Sequence, residues 1–471
     1  MQPLIIQGGM GIGVSGWQLA GAVGRAGGLG VVSGVALDTL LARRLQDGDP
    51  DGRLREALAA FPVPEITTRV LSRYFVRGGR ASDEPYRQVP RLTLEPSPER
   101  QRLAILAAFV EVHLAKRAAR GARVGVNFLE KIQLETPAAA YGAMLAGVDV
   151  VLVGAGIPAR LPALLHSLSR HQRVEFPVDV AGAGQTRHAL HFDPLALLGR
   201  RLAALVRPLF LAIVSSSTLA TFLSRDETTR PDGFVVEGAI AGGHNAPPRG
   251  VLTLDERGEP VYGPRDVADP ASFAALGLPF WLAGGYSRPE RVAAACAAGA
   301  SGVQVGTPFA LSRDSGLSAT LREQLLGRLR EERLAVHTDA LASPTGFPFK
   351  VAQLDGTLSD PSVYAHRQRL CDLGYLRTPY VRPDGAVGYR CPAEPADAYV
   401  RKGGDRSETV DRVCLCNALT ATTGFGQRRR GRASEPAIVT LGADVDGARE
   451  LLRRHPEGWG ADDVIGYLAG S

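Results

Sequence analysis

Phe280-Trp281-Leu282-Ala283-Gly284-Gly285 and, after a stretch rich in Arg and Ala, Gly302-Val303-Gln304-Val305-Gly306-Thr307 carry the pattern that decides the fold. Each is a short, continuously apolar run ending in glycine, and a segment of helical composition separates them. Continuous apolarity marks a strand buried on both faces, and a strand-then-helix rhythm marks parallel strands joined by helical crossovers. Similar runs stand at Leu4 to Gln7, Leu29 to Ser33, Val124 to Phe128, Val148 to Val153, Leu209 to Val214 and Gly233 to Val236, making eight in all. Eight such units predict a (β/α)8 TIM barrel, with a doubly wound open sheet as the alternative.

The spacing of the runs leaves room for more than a bare barrel. We expect the barrel over residues 1–345, with insertions near 35–122 and 159–207, and a C-terminal Cys-bearing subdomain over 346–471. The first insertion has helical pieces around Asp38 to Phe61 and Glu99 to Arg120. The second contains Val174 to Val180 and Arg187 to Phe192, which could pair as a hairpin. The rhythm stops after Arg333, and a segment bearing Pro, Gly and Cys begins near Ala342.

The chain has 471 residues, is 45% hydrophobic and 22% charged, and carries a net charge of +6. These are globular proportions, which exclude general disorder. The longest apolar runs fall short of the ~20 residues of a membrane span, and the first residues lack the basic region of a signal peptide, so a cytoplasmic protein is expected. The positive balance does not point to nucleic acid, because Arg is scattered among Asp and Glu. The one dense run, Arg428-Arg429-Arg430-Gly431-Arg432, has no interleaved aromatics and reads as a solvated loop.

In a barrel of this kind chemistry sits where the strands end. The first run ends in Gln7-Gly8-Gly9-Met10-Gly11-Ile12-Gly13, where glycines let backbone approach a flat ligand. The third ends in Asn127, an amide able to meet a heterocycle edge. The sixth leads into Glu237-Gly238-Ala239-Ile240-Ala241-Gly242-Gly243-His244. Gly284-Gly285 and Gly306-Thr307 follow the last two strands, and backbone N–H groups there suit a phosphate. The pattern predicts a phosphate-bearing cofactor. His244, on a strand-end loop, is the histidine placed to exchange a proton.

Taken in order, Ile5-Ile6-Gln7-Gly8-Gly9-Met10, Gly27-Gly28-Leu29-Gly30, Gly125-Val126-Asn127, Ala241-Gly242-Gly243-His244, Ala283-Gly284-Gly285 and Gly302-Val303-Gln304-Val305-Gly306-Thr307 resemble the nitronate monooxygenase (2-nitropropane dioxygenase) family and its relatives, the FMN-dependent enoyl reductases. The resemblance covers roughly residues 1–345, with gaps at the insertions. It implies FMN held by Gly9, Met10, Asn127, Glu237, Gly243, Gly284, Gly285, Gly306 and Thr307. Met10 and Asn127 would lie near the ring, and Gly243, Gly284, Gly285, Gly306 and Thr307 around the ribityl phosphate. His244 would be the catalytic residue, as base toward a nitroalkane or as the group orienting a nitronate, with O2 as co-substrate. Two alternatives remain open: an NAD(P)H-dependent flavin enoyl reductase of a lipid or polyketide pathway, and an accessory flavin-binding partner of a synthase. Glu237 stands where the monooxygenases would have Gln and is more typical of the enoyl reductases. The large insertions suit a bulkier substrate or an acyl-carrier or synthase partner.

Five cysteines are too few for a secreted disulfide framework. Cys371, Cys391, Cys414 and Cys416 lack the Cys-x(2–4)-Cys spacing of most metal sites, so free thiols are expected, with these four as the candidates if a metal binds. Cys296, in an Ala-rich helix, reads as a small buried residue.

Overall fold

The structure, a computed structural model, describes residues 2–428 and 434–470. Eight parallel strands form one sheet: β1 (Ile5–Gln7), β2 (Gly30–Ser33), β3 (Val124–Leu129), β4 (Val150–Gly154), β5 (Leu209–Val214), β6 (Gly233–Glu237), β7 (Phe280–Ala283) and β8 (Gly302–Val305). Neighbours in the sheet are neighbours in this numbering, and β8 pairs with β1 through Ile5↔Val303, Ile6↔Gln304 and Gln7↔Val305. A parallel bridge between Ile6 and Leu29 closes the ring at β2. The chain is a (β/α)8 barrel, and the open-sheet alternative is set aside by that closure.

Most strand residues are apolar on both faces because each face meets a different core, with Gln7, Asn127 and Gln304 as polar exceptions. Ile6, Val31, Val150, Leu152, Leu211, Val235, Trp281 and Ala283 pack together inside the barrel. Their chain neighbours Val32, Val151, Val153, Phe210, Ala212, Phe234, Val236 and Leu282 turn outward into the larger core under the helices. This alternation explains why the strands read as unbroken apolar runs. Trp281 also donates its indole N–H to the Pro3 carbonyl at 2.8 Å, tying β7 to the segment leading into β1.

The insertions hold the expected helical pieces and hairpin, and also a helix, Pro64–Tyr74, that the sequence reading did not place. Helices Leu37–Gln46, Arg53–Ala59, Pro64–Tyr74 and Pro98–Ala118 fill the first. In the second, Val174–Val178 and His188–Phe192 pair as an antiparallel hairpin. A buried ionic group stitches the first insertion to the rest. Arg100 pairs with Asp38 and lies 3.6 Å from Glu135, while the Tyr375 hydroxyl, far along the chain, donates to Asp38.

The C-terminal residues return to the barrel. Trp459 is fully buried and donates to the Pro308 carbonyl at 2.8 Å. Helix Ala461–Ala469 packs on helices Trp17–Arg25 and Pro289–Ala297. The thiols of Cys391, Cys414 and Cys416 are buried and that of Cys371 is half-buried, whereas Cys296 is exposed, contrary to the sequence reading. Helix Pro289–Ala297 turns Val292 and Ala295 inward and leaves Cys296 on its outer side. No group of three or more His, Cys, Asp or Glu side chains among the described residues is arranged to hold a metal. Of the arginine run, Arg428 donates to the Ser82 carbonyl at 2.6 Å, and Arg429, Arg430 and Arg432 lie outside the described residues. Among the described residues no helix is long and apolar enough to cross a membrane.

Candidate active site

The carboxyl ends of the strands open into one cleft of about 1290 Å³, including space open to solvent. Gly9, Met10, Asn127, Glu237, Gly243, His244, Gly284, Gly285, Gly306 and Thr307, all singled out from sequence, line it together. Gly9 is required by proximity, since a Cβ there would collide with the Asn127 side chain. Gly284 and Gly285 have φ of +86° and +81°, a conformation costly for residues with a Cβ.

Several polar atoms in the cleft wall have no protein partner. The buried oxygens Asn127 Oδ1, Gln304 Oε1 and Ser287 Oγ accept or donate no hydrogen bond among the described residues. The amides of Gly284, Gly285, Gly306 and Thr307 likewise donate to no backbone carbonyl there. Unpaired buried polar groups are costly unless something fills the space beside them. The cleft wall is therefore arranged for a ligand that brings acceptor oxygens to the amides and Ser287 and donor groups to Asn127 and Gln304. Asp444 lies on the same rim, with one carboxylate oxygen accepting from the Asp446 amide at 3.0 Å.

The wall facing these loops comes from far along the chain. Thr440 accepts the Gly243 amide at 2.8 Å, and Thr307 Oγ1 accepts the Gly442 amide at 2.9 Å. Leu419, Leu441, Gly442 and Asp444 complete that side. Sequence reading missed these residues along with Ser287 and Gln304. Local signals existed for Ser287, two positions after the glycine pair, and for Gln304, inside the last strand's motif.

His244 is held from several directions. Its backbone bridges Phe349, and its ring meets the Phe349 ring edge-on at 4.9 Å and the Phe347 ring at 6.5 Å. Its Nε2 lies 2.7 Å from Ser343 Oγ, which is 2.8 Å from Thr345 Oγ1. Burial, with a smaller contribution from the positive charge of Lys131, lowers its pKa to about 4, so the ring is neutral at pH 7. Glu237 moves the opposite way: burial without a compensating charge raises its carboxyl to about 8. On the loop after His244, the Arg249 guanidinium donates to the Ser215 carbonyl at 3.2 Å.

Residues 203–339, which run from before β5 to beyond β8, match the family model described as nitronate monooxygenase. That stretch is similar to the nitronate monooxygenases. A nitronate monooxygenase of Pseudomonas aeruginosa is 37% identical over 123 residues, which are 26% of this chain and 33% of that protein. A probable nitronate monooxygenase of Staphylococcus aureus is 30% identical over 114 residues, 24% of this chain and 31% of that one. The matched stretch thus spans about a third of these relatives' length. Among solved structures, nitroalkane oxidase from Streptomyces ansochromogenes aligns over 99% of this chain and 95% of its own at 18% identity and a TM-score of 0.42. The enoyl reductase domain of MlnA from the macrolactin cluster of Bacillus amyloliquefaciens aligns over 100% of this chain and 94% of its own at 12% identity and a TM-score of 0.47. The matched segment contributes Glu237, Gly243, His244, Gly284, Gly285, Gly306 and Thr307 to the cleft, whereas Gly9, Met10 and Asn127 precede it.

Proposed function

We propose that the chain is an FMN-dependent oxidoreductase of the nitronate monooxygenase type that oxidises nitronates or nitroalkanes with O2. The observation that carries this reading is the meeting of the strand-end glycines, Asn127 and His244 around one cleft, within a barrel whose second half matches that family. In this reading residues 1–345 are the flavin-binding barrel and 346–471 a C-terminal subdomain that adds a wall to its cleft.

The residues present fit a flavin mononucleotide. The free amides of Gly284, Gly285, Gly306 and Thr307, with the unpaired Ser287 hydroxyl, form a donor set for a phosphate dianion. Asn127 and Gln304 offer unpaired side-chain oxygens to polar edges, and Gly8, Gly9 and Met10 present backbone and an adaptable thioether to a flat ring. When bound, the flavin would supply the redox chemistry, accepting electrons from substrate and delivering them to oxygen.

His244 acts on the substrate in its neutral form. A ring with a pKa of about 4 is a weak base toward a carbon acid, but its N–H remains a hydrogen-bond donor. This favours orienting a nitronate that arrives already ionised over deprotonating a neutral nitroalkane. Ser343 fixes one ring nitrogen, leaving the other for the substrate. Phe347 and Phe349 shield the imidazole from water.

Anaerobic mixing of the flavin-loaded protein tests the reading. Bleaching by propionate-3-nitronate and not by NAD(P)H is the expected result. Bleaching by NAD(P)H alone would move the chain to the enoyl reductases. A purified protein without flavin absorbance that takes up no FMN on titration would refute both.

A further inference from the structure

The cleft has a neighbour. Behind the loop that follows β6 lies a side cavity of about 340 Å³, solvent-connected space included, lined by Ser215, Gly238, Asn245, Tyr262 and Arg249 among others. Glu237, the last residue of β6, lines both this cavity and the main cleft. Its place is fixed by the sheet, since Glu237 pairs with Ala283 in the register between β6 and β7.

No hydrogen bond or ion pair reaches the Glu237 carboxyl among the described residues. The ionisable groups around it are His244, Tyr286 and Asp444 in the cleft and Arg249, Tyr262 and Asp266 in the side cavity. His244 is neutral, Arg249 and Asp266 are joined through the Arg249 amide at 2.8 Å, and the Tyr262 hydroxyl donates to the Ala246 carbonyl at 3.1 Å. None of these charges acts appreciably on Glu237, which leaves burial alone to set its state. The side cavity has a second unpaired group, Asn245 Oδ1, on a residue only 1% exposed. The cavity has room for about one water, which would satisfy that oxygen. Pro247 and Arg249 in its lining are exposed to solvent.

We propose that Glu237 is the proton donor of the cleft, recharged from solvent through the side cavity. The carboxylic acid gives its proton to an oxyanion or carbanion formed in the cleft, so that one O–H bond breaks as an O–H or C–H bond forms. The carboxylate left behind takes a proton from water in the side cavity, and solvent replaces that proton. His244, neutral and anchored to Ser343, orients the substrate, while Glu237 supplies the acid. Two ionisable groups pushed in opposite directions by one site is the arrangement that separates such roles. The carboxylic acid also avoids placing a negative charge beside an anionic substrate. This assignment rests on the oxidoreductase reading for its substrate, but the protonation state of Glu237 can be measured without turnover.

Infrared difference spectra of the flavin-loaded protein between about pH 6 and about pH 9 should show a protonated carboxylic acid that ionises near 8 and is missing from Glu237→Gln. Glu130 and Glu135 are also raised by burial, so the assignment rests on that loss. A Glu237 already ionised at neutral pH would overturn the proposal. With propionate-3-nitronate, wild-type kcat/KM should fall above about pH 8. Glu237→Gln, neutral, of the same shape and the residue the monooxygenases would have here, should keep its flavin, lower kcat/KM below pH 8 and show no alkaline limb. Glu237→Asp should restore part of the rate together with the limb. Wild-type rates with the limb intact in Glu237→Gln would overturn the proposal. If no nitronate is turned over at all, the functional reading fails while the infrared titration still decides Glu237.

Discussion

Replacing Ser343 with Ala removes the partner that His244 Nε2 meets at 2.7 Å, together with the hydroxyl that meets Thr345 Oγ1 at 2.8 Å and accepts the Thr345 amide at 3.2 Å. Ser343 is 0% exposed, so no water takes over the position directly. Its backbone stays in place, because the Arg412 guanidinium donates to the Ser343 carbonyl at 2.6 Å and the Val413 amide to the Ala342 carbonyl at 2.9 Å. A buried nitrogen left without its partner costs about 1–3 kcal/mol. If that cost falls on the orientation of the ring in the transition state, it corresponds to roughly 5- to 150-fold in kcat/KM. The assay is steady-state oxidation of propionate-3-nitronate, with flavin absorbance measured on the same samples. Ser343→Thr, which keeps a hydroxyl, should recover most of the loss. In a His244→Ala background Ser343→Ala should cost nothing further, because the two residues act as one unit. A kcat/KM within about twofold of wild type, or an equal additional loss without His244, would refute the linkage.

The low pKa of His244 sets a pH expectation of its own. Because its folded value lies near 4, kcat/KM should show no acid limb at the ordinary histidine value of about 6.5, and its ionisation should reduce turnover only as pH falls toward 4. Arg100→Met leaves Asp38 and Glu135 buried without their cation and should cost about 3–5 kcal/mol in urea unfolding; an unchanged midpoint and slope would show that the pairs are dispensable. Asp444→Asn removes a negative charge beside Gly285 and should slow flavin loss on dilution, whereas faster loss would place the carboxylate among the groups that hold the ligand. A thiol reagent should label Cys296 first and reach Cys391, Cys414 and Cys416 only on unfolding, as read by peptide mass mapping.

The barrel was legible because each strand is buried on both sides. Val150-Val151-Leu152-Val153 alternates between the inner and outer cores, and both demand apolar side chains, so the run is visible without any partner in sequence. The strand-end residues were legible for a related reason: Gly9, Gly284 and Gly285 are forced by close approach or by positive φ, and such constraints are local. Cys296 was misread because Ala-rich composition does not say which side of a helix faces the core. Ser343, Thr440, Leu441 and Gly442 escaped because their importance lies in contacts with His244, Gly243 and Thr307, all of them roughly a hundred or more positions away. No periodicity or turn motif encodes a meeting of that kind.

The Thr440 and Gly442 contacts also bear on biosynthesis. The last barrel strand ends at Val305, yet the Gly243 amide and the Thr307 hydroxyl find their partners only when Thr440 and Gly442 arrive. As the chain emerges from a ribosome, the barrel can close long before the cleft has its far wall. In the proposed function flavin loading is then a late event, and a nascent chain halted between those points would lack the wall that Thr440 and Gly442 add to the cleft.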